Sequence, residues 1–234
     1  MTTFAVTVTY GNRFHLVKQV IDGALREGLS KVIVVDNNSA PQSREQLKAY
    51  EQELGSDKIK VLYLVDNYGS AGGFKRGLEE AYNDPECEFI WLLDDDNVPQ
   101  ENSLKNLAKT LECFNNDKVV LVSYRKILDP LSKQILDKNS LYQNVSTGEF
   151  LGQDKTFLEK MISKFSQKDN DKKEINFPVA RRRHASYGGL FINKKIIEKI
   201  GYPNEAFYLY ADDTEYSQRM ENNQYVIYTC FLVK

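Results

Sequence analysis

Short apolar runs rich in β-branched and aromatic residues alternate with helix-periodic stretches along the first half of the chain. Alternating strands and helices predict a parallel sheet, and the nearly continuous apolar character of each run indicates that helices cover both faces. We therefore expect an α/β fold with a doubly wound, mostly parallel sheet. The four predicted strands are Phe4–Tyr10, Lys31–Asp36, Ile59–Val65 and Phe89–Leu93.

The second half of the chain has a weaker pattern. A fifth apolar run covers Val119–Leu128, and residues 129–178 are then polar and lysine-rich. We interpret residues 129–178 as a partly mobile insertion that forms a lid or an acceptor-facing loop, because polar segments of this kind often order only around a ligand. A single domain over residues 1–234 would then have two halves, residues 1–128 and 179–234, on either side of a cleft.

The ends of the chain carry two further expectations. The final YVIYTCFLVK is apolar with no turn behind it, so we expect this strand to continue beyond Lys234. The N-terminus lacks a basic start before an apolar run, and no window approaches the ~20 apolar residues of a membrane span. This pattern predicts neither export nor membrane insertion.

Composition narrows the classes of function. The chain has 31 Lys and Arg against 33 Asp and Glu, so no overall basic field favours a nucleic-acid partner. Three cysteines are too scattered for a zinc pattern or a disulfide framework, which suits a reducing compartment. We expect a cytoplasmic protein with no nucleic-acid partner, and peripheral contact at the inner face of the membrane as a second expectation.

Three consecutive carboxylates, Asp94, Asp95 and Asp96, directly follow the fourth predicted strand. A bare cluster at the carboxyl edge of a sheet would repel itself. A hard divalent cation such as Mn2+ or Mg2+ resolves the repulsion, because it prefers oxygen ligands and also takes oxygens from a diphosphate. The pattern predicts a metal site, and the alternative is a solvated turn that caps the next helix.

A second acidic group, Asp212, Asp213 and Glu215, begins a predicted helix behind the aromatic run 207–210. The helix dipole favours acids in a first turn whatever their function. Three acids in four positions exceed what capping needs, however. We therefore expect one of them to act as a general base in an aromatic-lined pocket.

A glycine-rich segment over residues 67–77 follows the third predicted strand and opens a helix. Glycines allow close backbone approach to a ligand, and helix N-terminal amides favour phosphate, although the signal alone is weak. Asp36 ends the second strand, where it could bind a ribose or a base edge or simply begin a turn.

In this order the motifs resemble those of family 2 glycosyltransferases of the GT-A fold, especially the bacterial rhamnosyl- and galactofuranosyltransferase-like branch. The resemblance spans nearly the whole chain. It rests on FAVTVTYGNR, VIVVDNNS, NYGSAGGFKRG, WLLDDDNVP and SYGGLFINKKIIEKIGYPNEAFYLYADDTEYSQRM.

The resemblance implies a nucleotide-sugar-binding half over residues 1–128 and an acceptor half over residues 179–234. Asp94 and Asp96 would coordinate Mn2+ or Mg2+, and the family often adds a metal-binding His that would lie beyond Lys234. Asp213 would be the catalytic base with Asp212 beside it, and Glu215 would orient acceptor hydroxyls. The donor-binding residues implied are Thr9, Tyr10, Asp36, Asn67, Gly72, Gly73, Arg76 and Asp95.

The implied reaction is a single inverting displacement, in which a base deprotonates the acceptor hydroxyl and the sugar leaves a UDP or dTDP donor. The implied acceptor is a saccharide or lipid-linked saccharide of bacterial cell-surface polysaccharide synthesis. Two alternatives stay open. A nucleotidyltransferase would need a glycine-rich basic loop after the first strand, which TYGNRF lacks. A catalytically silent module would bind a nucleotide sugar without turnover.

Overall fold

A computed structural model describes residues 1–114, 116–124 and 179–230. The predicted insertion over residues 129–178 lies outside the described residues, as do the end of the fifth apolar run and residues 231–234.

The first half of the chain alternates strands with helices, as its hydrophobic pattern predicts. The third strand ends at Tyr63, two residues before its predicted end, because Tyr63 pairs with Asp36, where the neighbouring second strand ends. The elements are β1 (Thr3–Thr9), α1 (Phe14–Arg26), β2 (Lys31–Asp36), α2 (Pro41–Leu54), β3 (Ile59–Tyr63), α3 (Gly69–Asn83), β4 (Phe89–Asp94), α4 (Ser103–Phe114) and β5 (Val119–Ser123).

The second half adds short elements that complete the sheet. The predicted acidic helix is present and begins at Asp212. In chain order the elements are β6 (Val179–Arg182), β7 (Leu190–Asn193), α5 (Ile196–Ile200), a 3-10 turn (Glu205–Phe207), α6 (Asp212–Asn222) and β8 (Val226–Cys230).

The described strands form one eight-stranded sheet in the order β3-β2-β1-β4-β7-β5-β8-β6. Strands β1 to β4 are parallel, which confirms the prediction for the first half. The sequence did not indicate β7, which runs antiparallel between β4 and β5. Because β7 is reversed, the residues just before it lie at the carboxyl edge of β4.

Helices cover both faces of the sheet, as the apolar strands predict. On one face, α1, α2 and α4 bury residues such as Val17, Leu47 and Leu107, and on the other face α3, α5 and α6 do the same. The side chains of β1 alternate between these two cores, as a strand with both faces buried requires. The doubly wound α/β class is confirmed.

No helix among the described residues combines the length and the apolar character needed to cross a membrane.

Helix α3 packs on β1 through two glycines one turn apart. A Cβ atom at Gly73 would lie 2.6 Å from Val8 Cγ1, and one at Gly77 would lie 2.4 Å from Val6 Cγ1. Both distances are well below a van der Waals contact. These glycines therefore set the separation of helix and sheet, and with it the position of the α3 N-terminus.

We predict that Gly77→Ala lowers the free energy of unfolding by about 1 kcal/mol. Alanine gains about 1 kcal/mol of helix propensity over glycine, but overpacking a core against a stiff valine typically costs about 1–3 kcal/mol. Urea unfolding followed by circular dichroism measures the difference.

The matched control is the same change in a Val6→Ala background. Removing the Val6 methyl groups makes room for the new methyl, so Gly77→Ala should be neutral or stabilising there, with a coupling of about 1 kcal/mol between the two sites. An equal loss in both backgrounds would show that packing against Val6 is not the cause.

Candidate functional site

The two predicted acidic groups meet at one cavity of about 240 Å³, although they lie far apart in the sequence. Asp94 ends β4, whereas Asp212 and Asp213 begin α6. The cavity opens at the carboxyl edge of the parallel strands, where ligands bind in α/β sheets. It is lined by Ser70, Phe74, Asp94, Ser186, Tyr187, Leu209, Tyr210, Ala211, Asp212 and Asp213.

The adjacent acids of α6 have different surroundings. Asp212 is buried, at 3% exposed, and accepts a hydrogen bond from the hydroxyl of Ser70 at the start of α3. Asp213 is only partly buried, and its Oδ1 accepts the Thr214 N–H at 2.6 Å. Both acids line the cavity, but Asp212 also joins α6 to α3 through Ser70, whereas Asp213 is the more exposed of the two.

Glu215 has another role in this structure. Its carboxylate pairs with Arg219 through contacts of 2.7 and 2.9 Å, and Arg219 also donates to the carbonyls of Ile200 and Tyr202. Glu215 is not among the residues that line the cavity. Its position supports the junction of α5 with α6, and does not support its predicted contact with acceptor hydroxyls.

Arg13 organises the aspartate turn, and sequence reasoning missed it. Its Nε and Nη2 atoms donate to Asp95 at 2.8 and 2.6 Å, and Nη2 lies 3.0 Å from Asp96 Oδ2. The Thr9 hydroxyl also donates to Asp95 at 2.9 Å. The hydrogen bonds to Asp95 raise the pKa of Arg13 above its ordinary value.

This pairing changes the prediction for Asp95. The residue is 4% exposed, and Arg13 and Thr9 engage both of its oxygens, so its position does not support contact with a donor sugar. Arg13 also offsets part of the repulsion that a cation was expected to resolve. Tyr10 is 50% exposed beside this cluster, with the Arg13 guanidinium 5.3 Å from its ring centre.

The described residues include no cluster of three or more His, Cys, Asp or Glu side chains placed to hold a metal ion. Asp94 reaches the cavity, and the side chain of Asp96 is 56% exposed. From the described residues, a divalent cation at this turn would have these two carboxylates, and it would take other oxygens from phosphate and water, as Mg2+ commonly does.

Asp36 lies inside the protein, at 0% exposed. One oxygen accepts the Ser39 N–H at 2.8 Å, and the other pairs with Arg44, which also donates to the Leu64 carbonyl at 2.6 Å. The sequence left open whether Asp36 binds a ribose or base edge or begins a turn. Its contacts are those of an Asp that begins a turn and pairs with an arginine.

The glycine-rich segment is covered by a later part of the chain. Gly69 has φ +68°, and a Cβ atom there would lie 2.0 Å from the carbonyl oxygen of Tyr208. That oxygen also accepts the Ala71 N–H at 3.3 Å. Asn67 Oδ1 accepts the Gly69 N–H at 2.9 Å and the Asn37 amide at 3.0 Å. Some of the backbone amides expected to meet phosphate are therefore bonded within the protein.

Gly72 and Arg76 lie on the same covered face of α3. A Cβ atom at Gly72 would lie 2.5 Å from Tyr68 Cβ, and the Arg76 guanidinium is 3.9 Å from the Tyr68 ring centre. Glu205 binds Lys75 at 2.7 Å and Arg76 at 3.3 Å. The hydrogen bond from Lys75 lowers the pKa of Glu205. Lys75 and Arg76, the cationic side of α3, thus bind the segment of residues 205–211 that leads into α6.

That segment has an unusual backbone. Tyr208, Tyr210 and Ala211 have φ values of 55°, 69° and 61°, in the left-handed region that non-glycine residues seldom adopt. Tyr208 and Tyr210 are 51% and 82% exposed. Such strain costs about 1–3 kcal/mol per residue and persists only where surrounding contacts enforce it, often near ligand sites.

Curated relatives match parts of the chain. The low-salt glycan biosynthesis hexosyltransferase Agl10 of Haloferax volcanii is 19% identical over 206 residues, which are 88% of this chain and 58% of that protein. Human dolichyl-phosphate beta-glucosyltransferase is 33% identical over 81 residues, which are 35% of this chain and 24% of that protein. The chain spans less than two thirds of the length of either relative.

Solved structures match nearly the whole chain. S. aureus TarS matches 99% of it and 35% of its own length, with TM-score 0.61 and 15% identity. GalNAc-T7 with UDP, GalNAc and Mn2+ has TM-score 0.69 and 10% identity over 100% of this chain and 43% of its own. The mannosyltransferase PcManGT from Pyrobaculum calidifontis, with GDP-Man and Mn2+, has TM-score 0.60 and 13% identity over 98% and 56%.

At these identities the likeness establishes the fold, and it confirms the predicted GT-A class. The finer rhamnosyl- and galactofuranosyltransferase-like branch stays a prediction. The family model for glycosyl transferase family 2 matches residues 5–201. Since that match covers well over half of the 234 residues, the chain belongs to glycosyl transferase family 2.

Proposed function

We propose that this chain transfers a sugar from a nucleotide diphosphate donor to an acceptor hydroxyl by a single inverting displacement. The observation that carries the proposal is the shared cavity, where Asp94 from the first half faces Asp212 and Asp213 from the second. Such a displacement needs a carboxylate that can hold a cation near the leaving diphosphate, and a base near the incoming hydroxyl. The cavity provides acids from both halves of the chain within one small space.

The comparisons support the substrate classes. TarS and PcManGT have structures with UDP-GlcNAc and GDP-Man, which supports a nucleotide-sugar donor and leaves the base open between UDP, dTDP and GDP. The names of Agl10 and dolichyl-phosphate beta-glucosyltransferase support a saccharide or lipid-linked acceptor. We extend this to bacterial cell-surface polysaccharide synthesis by the rhamnosyl- or galactofuranosyl-like branch, with peripheral membrane contact where the acceptor carries a lipid.

Asp213 is our candidate for the general base. A base must reach the acceptor proton within hydrogen-bond distance, so it has to face the cavity. Asp213 does so and is only partly buried, whereas Asp212 is buried and receives the Ser70 hydroxyl. Thr214 fixes Asp213 through one oxygen, which orients the carboxylate.

The aspartate turn fits a divalent cation that takes few ligands from the protein. Asp94 and Asp96 would hold it, because both are hard oxygen donors and flank the Asp95 that Arg13 neutralises. When bound, the cation would stabilise the negative charge that grows on the departing nucleotide diphosphate. Mn2+ is present in the structures of GalNAc-T7 and PcManGT, which supports Mn2+ or Mg2+ here.

Asp213→Asn should preserve donor binding and reduce transfer by about a hundredfold or more, since it keeps the side-chain shape and removes its basicity. The assay measures nucleotide diphosphate released from UDP-glucose, dTDP-rhamnose and GDP-mannose with MnCl2 and saccharide acceptors. Asp57→Asn is the matched control, because Asp57 is an exposed carboxylate before β3 at the opposite edge of the sheet.

Unchanged turnover in Asp213→Asn would move the role of base to Asp212, the other acid of α6 that lines the cavity. Donor binding without turnover by the unmodified chain, across the panel of acceptors, would favour a silent binding module. Failure of every donor to bind would contradict the proposed function itself.

Removal of the metal should weaken nucleotide binding. We expect EDTA to lower the affinity for UDP, dTDP and GDP at least tenfold, because the cation would otherwise join carboxylate to diphosphate. Asp96→Ala should lower Mn2+ affinity by more than the about 10–100-fold typical of losing an indirect partner of a metal ligand. Isothermal titration measures both, with Asp57→Ala as control, and equal affinities throughout would refute the metal assignment.

A further inference from the structure

Tyr187 lines the cavity, and its hydroxyl is a buried polar group. The residue is 5% exposed, and its hydroxyl oxygen finds no hydrogen-bond partner among the described residues. A buried hydroxyl without a partner costs free energy, and native proteins seldom retain one without a reason. Because this hydroxyl belongs to a residue that lines the cavity, we consider a bound ligand as its hydrogen-bond partner.

The ring is held from two sides, so the hydroxyl has little freedom to turn elsewhere. The Phe74 ring centre lies 4.4 Å away on α3, and the Tyr216 ring centre lies 6.0 Å away on α6. The turn before β7 fixes the backbone, since the Tyr187 carbonyl accepts the Leu190 N–H at 2.9 Å. The phenol is thus positioned by both helices of the cavity and by the reversed strand.

The environment keeps the phenol protonated. Burial raises the pKa of Tyr187 well above its ordinary value, and the negative charges of Asp212 and Asp213 add to the effect. A protonated phenol offers a donor and needs an oxygen that accepts. The missing partner is therefore an acceptor oxygen.

The charge and size of the cavity indicate which oxygen this is. Three carboxylates, Asp94, Asp212 and Asp213, line the cavity. A cation held by Asp94 would draw the diphosphate to that side, whereas Asp212 and Asp213, whose negative charges act on the Tyr187 phenol, would repel a phosphate oxygen placed beside it. A sugar hydroxyl can accept from Tyr187 and donate to a carboxylate at the same time. At about 240 Å³ the cavity is smaller than the about 300–1,000 Å³ of pockets that hold a whole drug-sized ligand, which suits one sugar ring.

We propose that Tyr187 is a specificity-determining residue that donates a hydrogen bond to a hydroxyl of the sugar carried by the nucleotide donor. The inference rests on the proposed function, and it adds a residue outside both acidic groups and the glycine-rich segment. A site built around such a bond discriminates against a ligand that lacks the hydroxyl, because the phenol is then left unpaired.

The test compares Tyr187→Phe with Tyr216→Phe. Tyr216 carries a second buried hydroxyl without a partner among the described residues, but it does not line the cavity. With MnCl2 present, isothermal titration gives the affinity of each variant for UDP-glucose against UDP and for GDP-mannose against GDP. In Tyr187→Phe the affinity for the sugar-bearing ligand that binds the unmodified chain should fall about threefold to tenfold, with no change for the bare nucleotide.

Tyr216→Phe should leave both affinities unchanged. The melting temperature of unliganded Tyr187→Phe should be unchanged or higher, because the variant removes an unpaired buried hydroxyl. Equal losses for sugar-bearing and bare nucleotides, the same loss in Tyr216→Phe, or no loss at all would overturn the assignment and leave the proposed function standing. If the unmodified chain binds neither class of ligand, the proposed function fails and this inference fails with it.

Discussion

The ion pair between Arg13 and Asp95 is the constraint on which the rest of the site depends. Three consecutive carboxylates repel one another, and the middle one, Asp95, is buried, so its charge needs a partner within the protein. A two-point pairing from the loop after β1 neutralises the middle carboxylate and fixes the direction of the turn. The Arg13–Asp95 pair thus joins the loop after β1 to the end of β4, and it fixes the position of Asp95 between Asp94 and Asp96.

Hydrophobic pattern was enough to predict the class of the fold, because each strand of the first half is buried on both faces and alternates with an amphipathic helix. It did not reveal β7. A four-residue run, LFIN, has no period that would indicate its direction, and its place between β4 and β5 depends on pairing with strands distant in the sequence. In the sequence, the glycines of α3 indicated a ligand-binding turn. In the structure, Gly73 and Gly77 allow the helix to pack closely against β1.

The site was partly predictable for a similar reason. Acids at strand and helix ends could be recognised from local pattern, and the structure brings Asp94, Asp212 and Asp213 to one cavity. Their partners could not be recognised, since Arg13 lies 82 residues from Asp95 and nothing local indicates the pairing. Arginine partners from distant parts of the chain also explain why the buried Asp36 and Asp95 serve the architecture in this structure.

Helix α3 contacts the acidic helix α6 directly, and it also contacts the segment of residues 205–211 that leads into α6. Glu205 binds the cationic side of α3, the Tyr208 carbonyl meets its first turn, and Ser70 donates to Asp212. Tyr208, Tyr210 and Ala211 in this segment have left-handed backbone conformations, which persist only where surrounding contacts enforce them. The same segment covers the glycine-rich turn and leads into the candidate base, so the positions of both depend on the contacts of residues 205–211. The geometry of the donor side and that of the base are therefore set together.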